Sequence, residues 1–128
     1  MSVSHRATQP LGVLLTVFAL ALVPWTIHLA NTLPARQLSP HYRAAWVGFD
    51  IALLLMLAWT GLAAYRGSPR LSTAASAAGT LMLVDAWFDV TTSASRADAR
   101  LALVTALMVE VPLAVVCFWL SRRPSRAP

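Results

Sequence analysis

The sequence predicts an all-α protein: an integral membrane four-helix bundle with both termini on the same side, the cytoplasmic one. Three observations lead there. Hydrophobic residues make up 58% of the 128 and charged residues only 12%, with a mean hydropathy of +0.64, whereas a soluble domain carries about 25% charge. The apolar residues gather in four runs, each about as long as a helix needs to cross a bilayer. The 10 basic residues are all arginine and fall between those runs.

The net charge of +5 is therefore no nucleic-acid signature. Lysine is absent, and no basic stripe interleaves with aromatic residues. The arginines read as flanks that set topology against anionic headgroups. The single cysteine, Cys117, leaves no disulfide framework and no CxxC metal or redox motif.

The first run, "LGVLLTVFALALVPWTIHLA" (residues 11–30), holds no charge. Arg6 ahead of an apolar core resembles a signal peptide. The run is long and no A-x-A site follows it, so it is read as a span. The connection "NTLPARQLSPHYR" contains Pro34 and Pro40, which keep it out of a helix. The second span covers residues 44–65 and carries Asp50. "RGSPR" is a tight turn. The third span, residues 71–92, carries Asp85 and Asp89. "SASRADAR" reads as another tight turn. The fourth span, residues 101–120, carries Glu110. No linker is long enough to divide the chain, so residues 1–128 are read as one transmembrane domain, multi-pass in the cell membrane.

Four spans put Arg6, Arg66, Arg70, Arg122, Arg123 and Arg126 on the side of the termini. Arg36, Arg43, Arg96 and Arg100 lie on the other. The larger arginine share faces the cytoplasm. Trp25, Trp46, Trp87 and Trp119 fall toward span ends, as interfacial belts do, while Trp59 sits deeper.

The acids are distributed the wrong way round for such a protein. Of the five, only Asp98 lies in a predicted loop; Asp50, Asp85, Asp89 and Glu110 lie inside spans. A central aspartate costs roughly 2.5–3.5 kcal/mol to insert. Several of them approach on the order of 10 kcal/mol, as much as a domain's whole net stability. A proton, an arginine, a bound cation or a water-filled cavity must compensate. In "VDAWFDV", Asp85 and Asp89 stand four residues apart, on one helical face. That face continues through Thr92, Ser93 and Arg96 one way and Leu81 and Ala78 the other, with Trp87 opposite. Two ionised carboxylates there repel, so one holds a proton or a cation sits between them. Under the predicted topology, Asp50, Asp85, Asp89 and His28 share the outer half of the bilayer. Glu110 lies near mid-membrane. Structural pairing is the competing explanation: Asp89 with Arg96 or Arg100, and Asp50 with Arg43.

Pro112, two residues after Glu110, has no N–H to give the Met108 carbonyl; Pro24 does the same to Leu20. Both are candidate hinges. His28 is a candidate relay or ligand, and His5 and His41 read as solvated. A ligand set of His28, Asp50, Asp85 and Asp89 has no diagnostic spacing, so neither a metal site nor a cofactor is expected. In "STAASAAGT", Ser72, Ala75, Ser76, Gly79 and Thr80 form small-xxx-small rows. These suit an internal seam or a homo-oligomer interface. Cys117 shares the Glu110 face and reads as packing.

The segments "LVPWTIHLANTLP", "AWVGFDIALL" and "LVDAWFDVTT" resemble a group of small multi-pass membrane proteins of high-GC bacteria without an established activity. The resemblance implies four spans and adds no mechanism. No voltage-sensor arginine ladder is present in the fourth span, and no H-E-x-x-H, G-x-S-x-G or P-loop pattern occurs.

Three functions compete. The leading one is a protein that binds and conducts or exchanges protons or cations, with no catalytic residues. Asp85 and Asp89 form its centre, Asp50 and His28 its outer mouth, and Glu110 an inner relay. The second is an accessory protein, binding lipid or a partner, whose acids form structural ion pairs. The third is an intramembrane enzyme using paired carboxylates on an apolar substrate, which needs an apolar cavity ending at an acid.

Overall fold

The computed structural model describes residues 38–123 continuously, together with Val17, Leu20, Ala21, Val23, Pro24, Ile27, His28 and Asn31. Its contacts divide the chain into two units, Met1–Pro40 and His41–Pro128. In the first unit those eight residues are helical, and the Asn31 side chain donates to the Ile27 carbonyl at 2.8 Å. The rest of the first predicted span lies outside the described residues, as do Arg6, Trp25, Arg36 and Arg126.

The only regular elements among the second unit's described residues are helices. Helix α1 is Tyr42–Arg66 and α2 is Leu71–Thr91. The third helix runs continuously over Arg96–Ser121 but has three parts: α3 (Arg96–Thr105), a π-turn (Ala106–Glu110) and α4 (Val111–Ser121). The predicted spans 44–65 and 71–92 thus reappear as helices within two residues at each end. Two helices, α1 and Arg96–Ser121, are long and apolar enough to cross a membrane. At 1.5 Å per residue, each reaches about 37–39 Å, against roughly 30 Å of hydrocarbon. Neither is a hidden core helix. Large side chains such as Leu54 and Met108 stand 64% and 74% exposed on their outer faces.

Each helix end has a local cause. Gly67 closes α1 in the left-handed region at φ 61°, without the Cβ penalty that other residues meet there. Its N–H and that of Ser68 bond back to the Ala64 and Ala63 carbonyls, at 3.3 and 2.9 Å, and Pro69 prevents continuation. At the end of α2, the Phe88 carbonyl accepts the Thr92 N–H at 2.8 Å. Hydroxyls add further donors to the last turn: Thr91 donates to Trp87, Thr92 to Phe88 and Ser93 to Asp89, at 2.8, 2.7 and 2.6 Å. The polar run beyond Asp89 therefore terminates its own helix.

The segment "SASRADAR" departs from expectation. Only its first residues connect the helices, and Arg96–Arg100 are already helical. The reason is a cap that the charge pattern concealed. Ser95 accepts from the Asp98 N–H at 3.1 Å and donates its hydroxyl proton to the Asp98 carboxylate at 2.6 Å. The Asp98 carboxylate also favours the positive helix N-terminus. Asp98 is thus a first-turn helix residue rather than a loop residue. Ser95→Ala is expected to cost about 1 kcal/mol, seen as faster amide exchange confined to residues 96–100.

Helix α2 is the middle of the unit. It packs against α1 on one side and against α3, the π-turn and α4 on the other. Its buried residues are Ala74, Ala75, Ala78, Gly79, Met82, Asp85 and Ala86, a stripe at helical period. The lower part of that stripe is small because a helix must come close there. A Cβ on Gly79 would stand 3.1 Å from the Phe118 ring and 3.2 Å from Cys117 Cβ. The Ser72 hydroxyl closes the same seam by donating to the Ser121 carbonyl at 2.8 Å. Of the row offered as an oligomer interface, Ala75 and Gly79 are buried within this chain, while Ser72 and Ser76 stay exposed at its edge. Leu53, Met82 and Ala114 form the apolar centre, with Phe49, Leu57, Leu81 and Phe118 around it.

The π-turn is the second local departure. A proline at position 112 cannot donate to the Met108 carbonyl, and its ring crowds that oxygen. The chain widens by one residue just before it: the Val111 N–H reaches five residues back, to the Ala106 carbonyl. The helix continues through Pro112 in the first turn of α4.

Candidate functional site

One level above the Gly79 seam, the buried stripe of α2 changes from small and apolar to acidic. Asp85 lies on that stripe, 9% exposed, and Asp89 follows one turn later, half-buried. Across from them stands Glu110, the last residue of the π-turn, 8% exposed. Each of the three carboxylates offers an oxygen, and those oxygens lie within 4.8 Å of one another. Trp87 faces away, 68% exposed.

Glu110 ends the π-turn and stands in ordinary helical register with the buried residues of α4, Ala114 and Cys117, four and seven residues on. That face is the one that meets Met82 and Gly79 of α2. Residues before the π-turn are shifted in phase relative to it. The spacing suggested a separate inner relay; the structure brings it to the Asp85–Asp89 pair instead. The visible signal was the face Glu110 shares with Cys117, although periodicity alone does not say which helix that face meets.

Among the described residues, none of Arg43, Arg96 and Arg100 forms an ion pair with these carboxylates. Glu110 Oε2 is fully enclosed and has no hydrogen-bond partner. Asp50, exposed on α1, is close enough for its charge to act on Asp85 and Asp89, but it lies outside the group of three. It adds negative charge rather than relieving it. His28 and Pro24 are helical residues of the Met1–Pro40 unit. Cys117 packs at the Gly79 level, away from the acids.

What the arrangement can do follows from charge. Three carboxylates this close, in an apolar surround, cannot all remain ionised without a positive species among them. No fixed one is present among the described residues. That leaves a proton, or a cation bound by oxygen ligands, as the candidates that the described residues allow.

A separate cavity of about 340 Å³ opens between the start of α1 and the end of α2. It is lined by Tyr42, Ala45, Trp46, Phe49, Phe88 and Thr92. Tyr42 and Trp46 stack obliquely at 6.0 Å. No acid lines it. At the opposite end of the bundle, the Arg123 guanidinium lies 3.7 Å over the Trp119 ring, an arrangement suited to a membrane interface.

No family model matches the chain, and no curated protein or solved structure matches it.

Proposed function

We propose that this chain is a multi-pass protein of the cell membrane, a four-span bundle with both termini in the cytoplasm. It takes up and releases a proton or metal cation at Asp85, Asp89 and Glu110, as part of ion conduction or exchange. The observation that carries the reading is the buried carboxylate group with no ion pair to any described arginine. Intramembrane acids that face a bundle interior and lack a fixed partner mark ion pathways. The exposed apolar faces of α1 and Arg96–Ser121 support the membrane setting. The resemblance to small multi-pass membrane proteins agrees with it.

The ion-pair reading requires arginines paired with the acids, and no described arginine forms such a pair. The enzyme reading requires an apolar cavity that ends on a carboxylate, and the cavity beside Phe88 has no acid in its lining.

The test is flux. Wild-type protein reconstituted in vesicles should dissipate an imposed proton or cation gradient. Asp85→Asn, which removes charge at nearly constant shape, should slow this by about tenfold or more, as expected for loss of a charged pathway residue. Equal rates for the two proteins would dismiss the proposal.

A further inference from the structure

Resting on that reading, we propose that the ion is a hard divalent cation of the Mg²⁺, Ca²⁺ and Mn²⁺ class. Asp85 and Asp89 of α2 and Glu110 of the π-turn hold it together.

Geometry comes first. Oxygen ligands lie about 2.0–2.6 Å from such ions, so two ligand oxygens on opposite sides of one ion stand roughly 4–5 Å apart. The three carboxylates each place an oxygen within 4.8 Å of the others, which fits a single coordination sphere. Glu110 supplies an independent indication. Its Oε2 is enclosed, lacks any hydrogen-bond donor, and belongs to a side chain more than nine-tenths buried against the pair. A carboxylate oxygen in that condition is strongly destabilised unless a cation meets it.

Charge then separates the ion classes. Fully ionised, the group carries three negative charges, and Asp50 acts on it from α1. One proton or one monovalent ion leaves two like charges at close range. A divalent ion leaves one, which a single proton on one carboxyl removes. Donor chemistry narrows the choice further. The group contains carboxylates alone, with no imidazole or thiolate, and such oxygen sets suit Mg²⁺, Ca²⁺ and Mn²⁺ over Zn²⁺ or Cu²⁺. Glu110 gives the site its second wall, on the same face of the third helix as Ala114 and Cys117, which meet Met82 and Gly79 of α2.

The experiment uses the full chain in nanodiscs of zwitterionic lipid, titrated with Mn²⁺ and followed by loss of the free-ion paramagnetic resonance signal. One Mn²⁺ per chain is expected, displaced by Mg²⁺ or Ca²⁺ and not by equal Na⁺ or K⁺. Glu110→Gln and Asp85→Asn should each weaken binding by about tenfold or more through loss of a charged ligand. Glu110→Asp, which keeps the charge, should retain measurable binding, and circular dichroism should report the same helix content in all variants. Binding that is identical in wild type and Glu110→Gln, or no binding at millimolar Mn²⁺, overturns the divalent site. If Mn²⁺ fails to bind while Asp85-dependent proton flux persists, the ion class is wrong and the exchange reading stands. If both fail, both fall.

Discussion

Gly79→Leu should lower the stability of the helical unit by about 3 kcal/mol, the upper part of the range for overpacking a close helix contact. A Cβ there already meets the Phe118 ring at 3.1 Å and Cys117 Cβ at 3.2 Å. The first neighbour can rotate; the second is fixed to the α4 backbone. Two further carbon branches have nowhere to go unless α2 and α4 separate, and separation breaks the Ser72 to Ser121 hydrogen bond at the end of the seam. Chain unfolding in mixed micelles, followed by circular dichroism, measures the loss. The Gly79→Leu/Phe118→Ala pair should recover part of it, because the ring is one of the two obstacles. Gly48→Leu is the matched control, since a Cβ at Gly48 meets nothing within 4 Å. Equal losses at positions 48 and 79 would show that the close α2–α4 contact is not the source.

The second large effect has the opposite sign. Replacing the acids by their amides, in Asp85→Asn/Asp89→Asn/Glu110→Gln, should raise the stability of the protein in chelator by roughly 1–3 kcal/mol, the cost of leaving such groups buried without partners. The gain should vanish when Mn²⁺ is added, because only the wild type binds the ion and is stabilised by it. Acids locked in structural ion pairs behave otherwise: removing one side of a buried pair destabilises by about 3–5 kcal/mol. Thermal unfolding with chelator and with Mn²⁺ separates the two outcomes by sign. A less stable amide variant in chelator would mean that a fixed positive partner meets these carboxylates after all. The expected result is the usual trade between stability and function at a site kept ready for its ligand.

Much of the helical architecture was legible without coordinates. Apolar runs of bilayer length have few structural solutions, because every backbone N–H and C=O must be satisfied within the run itself. That is why the helices predicted at 44–65 and 71–92 were placed to within two residues. Acids inside such runs also stand out in any one-dimensional reading, since their cost does not depend on knowing their neighbours. Asp85 and Asp89 share a face because a four-residue step along a regular helix dictates it. The start of the last helix was obscured for a local reason. Its charged first turn looked like a loop, and the Ser95–Asp98 cap that makes it helical is a hydrogen-bond pattern, invisible to hydropathy.

Partnership was a different matter. Composition and periodicity determined that this chain is helical, that it sets acids inside apolar runs where they need compensation, and that two aspartates share one helical face. Only the tertiary structure decided that the third member is Glu110, that the described arginines stand aside, and that the small-residue row closes on α4 of the same chain. The physical reason is distance. Periodicity says which residues share a face of one helix but not which faces meet, and a carboxylate is relieved or stranded according to a few ångströms between helices that are remote in sequence.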